Sequence, residues 1–411
     1  MNIKETLNTY KGLPKEIYIL FIGKIVNSIG SFVHPLMTLI LTQQIGLSNS
    51  QAGEIITMSL ICQAPAVILG GKLADKIGRR KVIIIFQLLG AICLFSCGFM
   101  EPSLNMAYIM ILSSCFYSMS SPAYDALNAD LTTEENRQRA YSLLYMGVNI
   151  GFSIGPILGG LLYKKYLPLV FIFDASTTLI SLALFIKYVK ETMNNKFCSM
   201  NEVSTDIELS QKQSTIKILY QRPILIFFSL AMLIYHFGYS QVGFALPLQL
   251  QEIFNDSGAT VYGVVAGFNG FIVILLTPIL TSLTKTYNPI KIMSLGGMFY
   301  AVSFLLYGAV NREYLFLFAM FIMTTGEVLV AINQGAFIAS RIPETHRGRI
   351  SSILPLIIGV GNGIGPILMG GFIDYYGMFQ AWILVFIIVL SGALFMRTLT
   401  LFDNTKEEVI E

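Results

Sequence analysis

Along this chain, apolar runs of membrane length alternate with short polar breaks. A helix needs about 20 apolar residues to cross a hydrocarbon core. Twelve runs reach that length, centred near Ser28, Leu60, Gly90, Phe116, Gly151, Thr178, Ile234, Gly270, Tyr300, Glu327, Gly359 and Phe386. Most connections are short, so neighbouring helices are expected to be antiparallel. The chain begins polar and charged, and the apolar run that follows is too long for the h-region of a signal peptide, so it reads as the first span. The one long polar stretch, from about Lys190 to Arg222, carries Asn194, Asn195, Ser199, Asn201, Ser204, Ser210 and Ser214. It reads as a linker or surface helix. The pattern predicts an all-α polytopic membrane protein with twelve transmembrane helices in two pseudo-symmetric six-helix bundles. These are residues 1–189 and 223–411, joined by a cytoplasmic linker at 190–222.

Composition supports the pattern: 54% of the 411 residues are hydrophobic and 12% are charged, where a soluble domain carries roughly 25% charged residues. Net charge, +3, says less than its distribution. Lys4, Lys11, Lys15, Lys72 through Lys81, Arg137, Arg139, the central loop, Lys285, Lys291 and Arg341 through Arg349 fall on one set of loops. The opposite set holds Lys164, Lys165 and Arg312. The positive-inside rule predicts that both termini are cytoplasmic, and the expected location is the cell membrane. Of the cysteines, Cys62, Cys93, Cys97, Cys115 and Cys198, most lie in apolar runs without the His or Cys partners a metal site needs. No P-loop, metal cluster or Ser/His/Asp arrangement is present, so neither a cofactor nor an enzymatic activity is expected. The energy source is then an ion gradient.

The two halves repeat. A shift of 210 positions lays Arg137 on Arg347, Arg139 on Arg349, Ser142 on Ser352, Leu144 on Leu354, Gly151 on Gly361 and Gly53 on Gly263. It also lays Ile154-Gly155-Pro156-Ile157-Leu158 on Ile364-Gly365-Pro366-Ile367-Leu368. Two parallel repeats about an axis along the membrane normal are the plan of one large class of secondary transporters.

Two motifs carry chemistry. Between the second and third spans stands Gly70-Gly71-Lys72-Leu73-Ala74-Asp75-Lys76-Ile77-Gly78-Arg79-Arg80-Lys81, where glycines permit a turn and the bases hold the loop in the cytoplasm. Asp130, ending the fourth span, is placed to pair with Arg79 or Arg80, worth about 1 kcal/mol if partly exposed. In the fifth span, Gly151, Gly155 and Gly159 recur every fourth residue, with Pro156 and Gly160 beside them. They leave a groove where another helix can approach closely, while the proline bends the span.

These residues resemble the major facilitator superfamily, over essentially the whole chain. Gly71, Leu73, Asp75, Gly78, Arg79 and Arg80 match its G-x-L-x-D-x-x-G-R-[RK] signature. The resemblance implies a gating role for this hairpin, with Asp75 docking near the start of the eleventh span, at the positive end of a helix dipole. Gly151 through Gly160 resemble the G-x-x-x-G-P-x-x-G-G signature of its antiporter branch. Antiporter relatives usually carry an arginine in the fourth span. Here that region reads Leu112-Ser113-Ser114-Cys115-Phe116-Tyr117-Ser118, with no base.

Ionisable groups inside spans cost about 2.5–3.5 kcal/mol and ask for a reason. Glu327 stands about 20 Å into the tenth span, where transporter sites lie. It can shuttle a proton, pair with a cationic substrate, or serve packing through a hydrogen bond. The Gly326-Glu327 pair is similar to a pattern in multidrug antiporters of the superfamily, where the acid serves cation recognition and proton coupling. His236, beside Tyr235 and Tyr239, is a second proton-coupling candidate or a satisfied core histidine. Lys24 reads as snorkelling to the cytoplasmic face, and Asp174 as meeting an interface. If the superfamily plan holds, spans one, four, seven and ten wall the cavity with Asn27, His34, Tyr117, Tyr235, Tyr239, Gln241, Asn333 and Gln334. Aromatic, methionine-containing walls with one acid suit an amphipathic cation. The leading expectation is a monomeric, proton-coupled exporter of drug-like small molecules, whose partners are its cargo, protons and the lipid bilayer, not nucleic acid. The alternative is a proton symporter or facilitator for a small metabolite.

Overall fold

A computed structural model of the chain describes residues 10–193, 223–341 and 347–404. Lys4, Cys198, the linker positions from Asn194 to Arg222 and residues 342–346 lie outside the described residues. The helices are α1 (Lys15–Ile29), α2 (Val33–Leu39), α3 (Asn49–Ile77), α4 (Arg79–Cys97), α5 (Leu104–Leu131), α6 (Glu134–Tyr163) and α7 (Leu167–Tyr188). They continue as α8 (Pro223–Gly243), α9 (Ala245–Phe254), α10 (Gly258–Thr284), α11 (Pro289–Ala309), α12 (Glu313–Arg341), α13 (Arg347–Tyr376) and α14 (Met378–Asn404).

Two spans are each built from two helices. Span one is α1 and α2, the latter running on into a π turn over Ile40–Gln44. Span seven is α8 and α9. Both breaks have the same cause: Pro35 and Pro247 stand third in α2 and α9, and a proline clashes with the carbonyl four residues before it. The first break is mended from a distance. Asp174, buried in α7, accepts the backbone N–H groups of Phe32 and Val33, both at 3.0 Å. Asp174 is therefore an internal cap rather than an interface residue.

Among the described residues, 10 stretches are long and apolar enough to cross a membrane, and one of them, Pro223–Thr284, runs through spans seven and eight. Leu104–Leu131, the fourth span, has the length but not the apolarity. It carries Ser113, Ser114, Ser118, Ser120, Asp125 and Asp130. Large apolar side chains stand outward elsewhere, such as Ile61 (66% exposed) and Phe318 (58%). Exposed apolar surface on that scale marks contact with lipid, as a multi-pass membrane protein requires.

The chain divides into two compact units. Unit 1 comprises Met1–Gly46, Met58–Glu208 and Ala259–Gly270; unit 2 comprises Leu47–Thr57, Leu209–Gly258 and Phe271–Glu411. The same pairing scheme organises both. In unit 1, α1 packs on α6 and α7, and α4 packs on α5 and α7. In unit 2, α8 packs on α13 and α14, and α11 packs on α12 and α14. The core of unit 1 gathers Ile17, Val82, Leu127, Leu143 and Phe185. That of unit 2 is aromatic, with Trp382 stacked on Phe304 at 5.9 Å between ring centroids and 5.2 Å from Tyr307.

The internal repeat reappears as contacts. A methyl on Gly263 would strike the carbonyl of Pro156 in unit 1, and one on Gly53 would strike the carbonyl of Pro366 in unit 2. Gly151 and Gly155 approach Ile25, Ser28 and Ile29 of α1; Gly361 and Gly365 approach Leu233, Phe237 and Ser240 of α8.

Candidate functional site

Unit 2 holds a partly open cavity of about 230 Å³. Met232, Tyr235, His236 and Tyr239 of α8 line it, and so do Glu327, Val330, Ala331 and Gln334 of α12. Both sets follow the i, i+3, i+4, i+7 spacing of one helix face. Tyr300 of α11 closes a third side. Glu327 is the fifteenth of the 29 residues of α12, at the helix midpoint. Its Oε1 accepts a hydrogen bond from the Tyr239 hydroxyl at 3.1 Å. The Tyr239 and Tyr300 centroids lie 6.4 Å apart, and Tyr300 meets Tyr235 edge-on at 6.0 Å.

Small residues create this arrangement. A methyl on Gly326 would come within 2.6 Å of the Gly296 carbonyl, so α12 and α11 touch through their backbones beside the carboxylate. Gly297 likewise makes room for the Tyr235 ring, whose hydroxyl donates to the Met293 carbonyl at 3.2 Å. His236 Nδ1 lies 3.1 Å from Nδ2 of Asn362 on α13.

Three of the residues proposed from sequence for the cavity, Tyr235, Tyr239 and Gln334, therefore share it with Glu327 and with the second proton-coupling candidate, His236. Two others turn away. Gln241, fully buried, donates to Phe237 O and Ser240 Oγ, and Asn333 donates to Leu329 O of its own helix at 2.8 Å. Asn27, His34 and Tyr117 belong to unit 1. Asn27 accepts from Thr178, His34 is exposed on α2, and Tyr117 packs on Gly90. Sequence spacing could have found Met232 and Val330; Tyr300 and Asn362 come from other spans, and no local signal links them to Glu327.

The basic hairpin of unit 1 is tighter than its sequence suggests. Helix α3 runs to Ile77 and α4 begins at Arg79, so the turn is Gly78 alone, at φ +102°. Gly71 is not a turn residue. It lies inside α3, where an added methyl would make ordinary contact with Pro122 at 3.7 Å. Between the two candidate bases, Arg79 forms the ion pair with Asp130. Arg80 instead donates to the carbonyls of Val189 at 2.8 Å and Ile186 at 2.9 Å. The pair is sheltered, with side chains 17% and 5% exposed, so losing one partner falls in the buried regime of about 3–5 kcal/mol rather than the surface one.

Two residues that the sequence did not single out complete the cluster. Thr192 donates to Asp130 Oδ2 at 2.7 Å and accepts from Arg79 at 3.3 Å. Glu191 accepts the N–H groups of Arg79 and Arg80 at 3.2 and 3.1 Å, capping the positive end of α4. Asp75 is exposed on the last turn of α3.

The fifth-span glycines serve one helix contact. Methyls on Gly147, Gly151, Gly155 and Gly159 would strike span one at Phe21, at Ile25 and Ser28, at Ser28 and Ile29, and at Phe32 and Leu36 respectively. Gly160 and Pro156 face Ala259–Gly270 of α10 instead. Among the described residues no group of three or more His, Cys, Asp or Glu could hold a metal ion.

About ten to twelve membrane-length helices in two similarly paired units, with an acid at the midpoint of one helix beside a cavity, are the architecture of a transporter rather than an enzyme. The chain belongs to the Major Facilitator Superfamily, whose family model matches residues 20–353 and 228–409. It is 23% identical over 396 residues to a "Na(+), Li(+), K(+)/H(+) antiporter" of Planococcus maritimus, covering 90% of this chain and 92% of that protein. To "Multidrug resistance protein MdtG" of Proteus mirabilis it is 25% identical over 387 residues, covering 91% and 92%. A crystal structure of a peptide transporter, POT, in complex with sulfate shares the fold at TM-score 0.77 and 16% identity, over 95% of each chain.

Proposed function

We propose that this transporter is a proton-coupled antiporter of the cell membrane, with both termini cytoplasmic, that exports amphipathic or lipophilic cations as a monomer. One observation carries the reading. The Glu327 carboxylate lies at the midpoint of a membrane-length helix, hydrogen-bonded by Tyr239 and faced by aromatic rings. A carboxylate inside a membrane-length apolar helix asks for a partner, either a proton or a cation. Protonation removes the charge that holds an organic cation, so proton and cargo compete for one site. The faces of Tyr235, Tyr239 and Tyr300 attract cations, and Met232 adapts to varied shapes. His236 is a second titratable side chain on the same wall.

The six-helix halves, 1–189 and 223–411, joined at 190–222, alternate access to this cavity. The hairpin of Gly71, Asp75, Gly78, Arg79, Arg80 and Asp130 is the inner latch, and the glycines from Gly151 to Gly160 provide a close-packed, bendable seam. The activities that name the two relatives, alkali-cation/proton antiport and multidrug resistance, support this reading through kinship.

The test is transport of a fluorescent lipophilic cation into proteoliposomes under an imposed pH gradient, comparing native protein with Glu327→Gln. Native uptake should follow the gradient, and the variant should lose that dependence while still folding. Native protein that moves no such cation under any gradient refutes the export reading.

A further inference from the structure

Unit 1 contains a second cavity, of about 40 Å³, that the transport scheme above leaves unused. Lys24 and Asn27 of α1, Gln87 of α4, Tyr124 of α5 and Thr178 and Ser181 of α7 contribute to its walls. Lys24 does not end in bulk water, as its snorkelling reading supposed. Its ammonium stands over the Tyr124 ring, 4.9 Å from the centroid. Gly23 beside it is buried against Ser181, whose hydroxyl would lie 2.9 Å from an added methyl, so α1 and α7 approach closely beside the lysine.

A cation in a membrane span is costly without a partner. Among the described residues no carboxylate comes within ion-pair distance of Lys24. Asp125, the next residue after Tyr124, acts on it only from farther away and is itself exposed. The tyrosine ring occupies one side of the ammonium, which carries three N–H donors.

The neighbouring groups add donors. Thr178 gives its hydroxyl proton to Asn27 Oδ1 at 2.9 Å, which leaves the two amide hydrogens of Asn27 outside that pair. Gln87 directs its own amide N–H to Ser120 at 2.7 Å. A positive charge beside spare N–H donors, with no acid on the wall, is the chemistry of an anion site. The volume suits a few waters or a group the size of a carboxylate or chloride.

We propose that this cavity is an anion subsite centred on Lys24. It takes either a small free anion or the acid group of a cargo molecule. This inference goes beyond the Glu327 reading and does not depend on it.

The experiment compares native protein, Lys24→Met, Lys24→Arg and Asn27→Leu in lipid nanodiscs. In one arm, thermal unfolding is followed as sodium acetate or chloride replaces sodium gluconate, which is too large for the cavity, at constant ionic strength. In the other, binding of rhodamine 110, with a free carboxylate, is compared with that of rhodamine 123, its methyl ester. A saturable rise in the native midpoint that is lost in Lys24→Met and retained in Lys24→Arg identifies a free anion. A native preference of about fivefold or more for rhodamine 110, lost in Lys24→Met, identifies a cargo acid group. Equal responses from native protein and Lys24→Met in both arms overturn the proposal. Should Lys24→Met not fold, Asn27→Leu decides: a weakened response supports the site, and an unchanged one overturns it.

Discussion

Gly71 and Gly155 are both signature glycines inside helices, yet the structure assigns them opposite tolerance of a single methyl. At Gly155 an added Cβ would lie 2.7 Å from the Ser28 carbonyl oxygen and 2.9 Å from that of Ile29. A comfortable carbon–oxygen approach is about 3.3 Å, so α6 would have to retreat from α1 by roughly 0.5 Å. Both obstructing atoms are backbone and cannot rotate away. At Gly71 the nearest atom is 3.7 Å distant, ordinary contact. Replacing glycine by alanine inside a helix gains about 0.5–1 kcal/mol at either position. That gain cancels in a comparison of the two variants and leaves the overpacking cost, about 1–3 kcal/mol. Thermal unfolding of Gly155→Ala and Gly71→Ala in the same detergent should then separate the two midpoints by about 1–3 °C, with Gly155→Ala lower. Gly71→Ala should equal or exceed the native protein. Coincident midpoints, or a less stable Gly71→Ala, would refute the geometric argument.

Two further outcomes are expected. Asp130→Asn leaves the Arg79 guanidinium sheltered without its counter-charge and should destabilise by about 3–5 kcal/mol; the double variant Arg79→Met/Asp130→Leu should recover much of that loss in the same denaturation assay. Trp382, the single tryptophan, donates its indole N–H to Gln249 Oε1 at 2.8 Å. Gln249→Leu should therefore shift the tryptophan emission of the native state and lower stability by about 1–3 kcal/mol, the cost of a buried donor left unpaired.

Much of the architecture was legible because membranes impose length. Runs of about 20 apolar residues can do little else, and the 210-residue repeat reappears in matched glycine contacts. Glu327 was legible for the opposite reason, being an acid where acids are costly. The breaks in spans one and seven were not, although Pro35 and Pro247 were visible, since prolines are common in spans that continue through them. Asp174 and Lys24 show what linear reading misses. Their partners are residues 142 positions away, in the case of Phe32 and Asp174, and an aromatic ring on another helix. Glu191 and Thr192 sit where an apolar run gives way to polar sequence, and no periodicity distinguishes them from the linker that follows.

The composition of the two units bears on how such a chain is made. Unit 1 is completed only by Ala259–Gly270, which meets Pro156 and Gly160, and Leu47–Thr57 belongs to a unit that otherwise begins at Leu209. The first turns of α3 emerge from the ribosome well before Asp374, whose carboxylate accepts from Asn49 and Ser50 at 2.8 Å each and lies 325 residues beyond Asn49. A ribosome that stalls between the halves would leave the first six spans in the bilayer with one helix end uncapped and one glycine groove uncovered. Such a fragment should be recognisable to membrane quality control, because its defect is a set of exposed close-packing surfaces that only the second half can bury.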